Sequence, residues 1–121
     1  MKERRKEPRR KEENQVMISP VSGEDWPNGK NFLKILTQDI STGGLCLLCD
    51  TRLPILTPVK VRLVLSRSHE VLNLKGIIRW ITPVYEDELF EVGIEFQDIP
   101  PPKALLLLKH IYGDTRSFES D

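Results

Sequence analysis

Apolar and polar residues alternate along most of the chain after residue 14, the period-two signature of half-buried β-strands. In PVKVRLVLS, residues 58–66, Val59, Val61, Leu63 and Leu65 share one face while Lys60 and Arg62 point the other way. VLNLKGIIRWI, residues 71–81, places Leu72, Leu74, Ile78 and Trp80 on one face and Asn73, Lys75 and Arg79 on the other. LFEVGIEF, residues 89–96, turns Phe90, Val92, Ile94 and Phe96 inward and Glu91 and Glu95 outward. Shorter strand candidates are QVMI (15–18), FLKILTQDIS (32–41) and GLCLLCD (44–50), the last entered from a turn at Gly43-Gly44. SPVSGEDWPNGKN (19–31) carries prolines, glycines and the turn dipeptide Asn28-Gly29, so it reads as a loop whose Trp26 covers the core edge. SRSHE (66–70) and PVYEDE (83–88) read as turns. Short strands separated by turn signals at regular spacing predict an antiparallel sandwich or barrel.

One helix is expected, over PPKALLLLKHIYG (101–113), with prolines in its first turn and Gly113 just past its end. At helical spacing Ala104, Leu105, Leu108, Ile111 and Tyr112 form the stripe expected to cover the barrel end, leaving Leu106 and Leu107 as apolar surface for a partner. The final DTRSFESD reads as a frayed tail.

With 121 residues, 39% of them hydrophobic and 30% charged, the chain has the size and balance of one folded domain. It has no room for a large cleft between domains. No apolar run approaches the ~20 residues of a membrane span, and there is no signal-peptide core, so a cytoplasmic location is expected. Cys46 and Cys49 lack the further ligands a structural zinc site needs, and His69 and His110 have no ligand spacing to them. Three residues apart on a strand, the two thiols face opposite ways and read as small apolar residues. No nucleophile–base pair, metal set or phosphate loop marks an enzyme.

The net charge of zero hides an asymmetry. Residues 1–13, MKERRKEPRRKEE, hold seven cations and four carboxylates, a net of +3, so with 18 charges of each sign in the whole chain the remainder is −3. Pro8 disfavours helix at Glu7, so this basic segment is expected to be an extended arm. A basic arm on a mildly acidic body suits an anionic ligand, although a solvated arm has the same composition.

A second cluster lies between two strand candidates. In DISTGG, Asp39, Ser41 and Gly44 form a D-x-S-x-x-G pattern. Asp39 offers a carboxylate acceptor, Ser41 a hydroxyl that donates and accepts, and the glycines allow backbone shapes closed to other residues. Taken alone, the same residues make an ordinary turn.

Together, R-x-x-x-R at Arg5 and Arg9, D-x-S-x-x-G at Asp39 to Gly44 and the closing strands LNLKGIIRWI and FEVGIEF resemble the PilZ domain family over nearly the whole chain. The resemblance implies a mainly β fold: a six-stranded antiparallel, split-barrel-like β-barrel with a C-terminal α-helix and a flexible basic N-terminal arm. It divides the chain into an arm (1–14), a barrel (15–99), a helix packed on it (100–113) and a tail (114–121). It implies a non-enzymatic receptor for cyclic di-GMP, with no other cofactor and no metal. Arg5 and Arg9 would contact phosphate and guanine, Asp39 a guanine edge, and Ser41 a phosphate or guanine, while Gly44 with Gly43 would shape the turn. Guanidinium forks suit both phosphate and the O6/N7 edge of guanine. Arg4 would supply an extra cationic contact compatible with two stacked ligands. Arg10 is a weaker candidate, favoured as solvated. Trp80 could stack on guanine from the barrel rim, but its alternation with Leu72, Leu74 and Ile78 favours the core. The arm is expected to order over the barrel with ligand and so alter a surface read by a downstream protein, as a monomer or a ligand-dependent dimer. Two other classes compete: a small barrel that binds nucleic acid through its basic arm, and an adaptor with this fold that binds only protein. The acidic body and the paucity of exposed aromatics disfavour the first, and the intact motifs disfavour the second.

Overall fold

A computed structural model describes residues 10–11 and 13–112, leaving aside the side chains of Arg10, Lys11 and Gln38. The expectations for Arg4, Arg5, Arg9, Gly113 and the tail lie outside the described residues. The elements are β1 (Arg10–Lys11), β2 (Gln15–Pro20), β3 (Leu33–Ile40), β4 (Gly44–Cys49), β5 (Pro58–Val64), β6 (Val71–Tyr85), β7 (Leu89–Gln97) and α1 (Pro101–Tyr112). No helix among the described residues is long and apolar enough to cross a membrane.

Strands β2 to β7 close into the expected six-stranded antiparallel barrel, in the order β3-β2-β5-β6-β7-β4, with β3–β4 pairing sealing the ring. Closure buries the inward face of each alternating run. Ile18, Leu47, Val59, Leu63, Ile78 and Val92 are all fully shielded from solvent. Each such side chain contributes about 1.5–3 kcal/mol relative to exposure. Trp26, in the loop after β2, is buried at the core edge, and its indole Nε1–H donates to the Ile18 carbonyl at 3.1 Å.

β1 extends the sheet along the edge of β3 that β2 also uses. Arg10 stands opposite Ile40 and Lys11 opposite Asp39, and the β2 register then begins at Gln15 opposite Leu36. Asn14, only 1% exposed, fills the break between β1 and β2. Its N–H donates to Thr37 Oγ1 at 3.1 Å, and its carbonyl accepts from the Thr37 N–H at 2.9 Å. Its side-chain Oδ1 accepts from the Ser66 N–H at 2.8 Å. A buried amide is stable there because hydrogen bonds replace its lost water.

The helix differs from its expected orientation. Leu107 and His110 face the barrel alongside the expected Ile111, whereas Leu105, Leu108 and Tyr112 are exposed. Four consecutive leucines make neighbouring faces equally apolar, so periodicity cannot select one. Contacts at both ends accompany the observed rotation: Lys103 Nζ donates to the Asn73 carbonyl at 2.5 Å, and the Arg67 guanidinium donates to the His110 carbonyl.

Candidate functional site

The D-x-S-x-x-G segment spans the last two residues of β3, the β3–β4 turn and the first residue of β4. Ser41 is 1% exposed, and its hydroxyl belongs first to the turn. Its N–H donates to the Gly44 carbonyl at 2.8 Å. Its Oγ–H donates to the same carbonyl at 3.4 Å, while Oγ accepts from the Gly43 N–H at 3.1 Å. The bond to Gly44 is long, so a ligand acceptor nearby could compete for that proton, and one Oγ lone pair remains.

The two glycines press this turn against β7. The Gly43 carbonyl accepts from the Phe96 N–H at 2.9 Å. A Cβ on Gly44 would stand 2.2 Å from the Ile94 carbonyl oxygen. Gly44 has no left-handed φ, so close strand approach, rather than an unusual backbone shape, demands glycine there. Asp39 is half-buried on β3 between two neighbours, opposite Lys11 of β1 and Cys46 of β4, with a register shift separating it from Thr37.

Trp80 is not in the core. The β6–β7 register shifts between Ile78, which faces Ile94, and Trp80, which faces Gly93. This irregularity ends the inward alternation, and Trp80 is 40% exposed. Gly93 makes its berth: a Cβ there would lie 2.2 Å from the indole, so the ring rests on bare backbone.

These parts meet around a cavity of about 380 Å³ whose walls include Ser41, Gly43, Gly44, Arg79, Trp80 and Glu95. Arg79 and Glu95 form an ion pair in that wall, with Arg79 Nε 2.7 Å from Glu95 Oε1 and both side chains about half exposed. A larger groove of about 770 Å³ lies where β3 and β4 diverge, lined by Asp25, Lys30, Leu33, Ile35, Leu48 and Asp50 among others. It touches none of the motif residues. The smaller cavity is the better candidate because it gathers hydrogen-bonding groups, a guanidinium and an aromatic face at one place.

Alternation along β6 separates Arg79 from Trp80 and gives no sign of a pairing between Arg79 and Glu95. Their outward positions on successive strands were legible, but the register shift that turns Arg79 and Trp80 toward one cavity was not. Among the described residues no group of three or more His, Cys, Asp or Glu side chains is arranged to hold a metal. Cys46 and Cys49 are buried and form no disulfide among the described residues, and burial pushes the Cys49 thiol above its ordinary value.

A family model described as PilZ domain matches residues 3–113. No curated protein gives a significant match. Among solved structures, the PilZ domain of YcgR from Escherichia coli, solved with c-di-GMP, aligns with a TM-score of 0.68 at 14% identity, covering 98% of this chain and 96% of that one. Bacillus subtilis MotI/DgrA, an inhibitor of motility, aligns at 0.71 and 17% identity over 89% of this chain and 49% of that one. The K. pneumonia MrkH–c-di-GMP complex aligns at 0.68 and 17% identity, over 88% and 50% respectively. The chain thus spans about half the length of MotI/DgrA and MrkH and nearly all of the YcgR domain. At these identities the likeness is one of fold.

Proposed function

Because the chain belongs to the PilZ domain family, we propose that it is a cyclic di-GMP receptor whose ligand lies between the N-terminal arginines and the β3–β4 turn. Arg5 and Arg9 hold phosphate and guanine, Asp39 accepts from a guanine edge, and Ser41 with Gly43 and Gly44 forms the floor. Trp80 offers its indole face to a base. Arg4 and Arg10 are peripheral cations.

One observation carries the reading. β1 pairs with β3 so that Lys11 stands opposite Asp39, and the chain bearing R-x-x-x-R therefore joins the barrel beside D-x-S-x-x-G. β1 begins directly after Arg9 in sequence, so this pairing supports bringing together two motifs about thirty residues apart. The structures of YcgR and MrkH with c-di-GMP support the ligand class.

Ordering an arm on a ligand costs about 2–5 kcal/mol in coupled cases. Charge-assisted hydrogen bonds at about 1.5–3 kcal/mol each can exceed it. The ordered arm then changes the surface that a downstream protein meets, and the signal passes on through that change. The test is calorimetric titration with cyclic di-GMP, with cyclic di-AMP and GTP as controls. Saturable binding of cyclic di-GMP alone, weakened at least about tenfold by Arg9→Ala, is expected. No binding, or unchanged affinity in Arg9→Ala, would overturn the assignment.

A further inference from the structure

We infer that Arg79 is a further ligand-contacting residue, which reads the O6/N7 edge of a guanine stacked on Trp80 and is held in position for this by Glu95. The inference rests on the cyclic di-GMP reading above, and it names a base-reading arginine supplied by the barrel wall rather than by the arm.

The geometry begins with the β6 register shift. It brings Arg79 and Trp80, adjacent in sequence, to the wall of the same cavity as Ser41 and Gly44. Trp80 rests on Gly93 with 40% of its surface open, which leaves an aromatic face for a base. Arg79 gives its Nε–H to Glu95 Oε1 at 2.7 Å. That bond does not use the two terminal amino groups, which form the fork that matches O6 and N7 of guanine.

Charge decides between the two halves of the ligand. An arginine meant for a phosphodiester would gain from a site without a carboxylate. Here Glu95 neutralises the guanidinium within hydrogen-bond distance and would repel a phosphate beside it. A neutral base edge suffers no such repulsion. A guanine stacked on Trp80 therefore fits this pair better than a phosphate does, whereas adenine presents an amino donor where guanine has O6.

Titration of the full chain with cyclic di-GMP and cyclic di-AMP at several salt concentrations tests this. Arg79→Ala should weaken cyclic di-GMP binding about tenfold or more and narrow the preference over cyclic di-AMP. Arg79→Lys, which keeps the charge and loses the fork, should weaken it as much. The dependence of affinity on salt should be unchanged in Arg79→Ala, because no phosphate contact is lost, whereas it should flatten in Arg9→Ala. Glu95→Ala should weaken binding about two- to fivefold, Glu95→Gln should restore most of that loss, and Glu95→Ala should add nothing in the Arg79→Ala background. Wild-type affinity in Arg79→Ala or Arg79→Lys, or a flattened salt dependence in Arg79→Ala, would overturn the inference while leaving the receptor reading intact. Failure of the unmodified chain to bind would instead remove the reading on which it rests.

Discussion

Two glycines at the cavity do different work, and substitution separates them. At Gly44 a new Cβ meets the Ile94 carbonyl oxygen at 2.2 Å, and backbone cannot yield without opening the β4–β7 pairing. Gly44→Ala is expected to lose about 1–3 kcal/mol in denaturant unfolding. At Gly93 the atoms nearest the new Cβ all belong to the Trp80 indole, a partly exposed ring that can swing aside. Gly93→Ala should therefore unfold within about 1 kcal/mol of the parent, while displacing Trp80 and weakening ligand binding in a titration. Cys49 supplies a pH-dependent term. Its thiol is raised chiefly by burial, so the folded state favours the protonated form. The associated stability is fully present below the ordinary value of 9.0 and is lost as pH rises through the folded value. Melting temperature should thus fall less steeply with alkaline pH in Cys49→Ala than in the parent.

At the scale of elements, hydrophobic periodicity identified the strands because each inward face must be buried once the barrel closes. The same rule failed for α1, where the leucine run left the buried face undetermined. Leu107 is fully buried and Leu105 about half exposed. Leu107→Ala should cost about 2–5 kcal/mol in chemical denaturation and Leu105→Ala less than about 0.5. The reverse order, with Leu105→Ala the costlier, would mean that the helix packs in the orientation expected from its periodicity. β6 also departs from expectation: it runs four residues beyond the predicted end, to Tyr85, and its inward alternation stops at Ile78. Past that point most β6 side chains turn to solvent, Trp80, Val84 and Tyr85 among them, while Phe90 and Val92 of the paired β7 stay buried.

For the whole molecule, Asn14 ties the end of the proposed arm to the two strands that flank β2. It bonds to Thr37 in β3 and to Ser66 after β5, and the neighbouring Arg67 bonds to the end of α1. Asn14→Ala would leave the Ser66 N–H without its present acceptor, at a cost of about 1–3 kcal/mol. Hydrogen exchange across the chain, with and without cyclic di-GMP, should show protection gained at Arg10–Lys11 and Asp39. In Asn14→Ala the ligand-dependent protection at β1 should shrink, because the strand loses its anchor beside β2.

The sequence by itself determined the six barrel strands, the single terminal helix and the presence of both motifs, because alternation and turn residues are local properties. Asp39, Ser41 and Gly44 were legible for the same reason. Tertiary structure alone decided which helix face is buried, that β1 lies against Asp39, and that Arg79, Trp80 and Glu95 share a cavity with the β3–β4 turn. Those outcomes depend on register between strands distant in sequence. A single shift near Ile78 moved Trp80 from the core side to the cavity wall. A period-two pattern carries no information about where such a shift occurs, since the shift is set by what the opposing strand, here at Gly93, has room to accept.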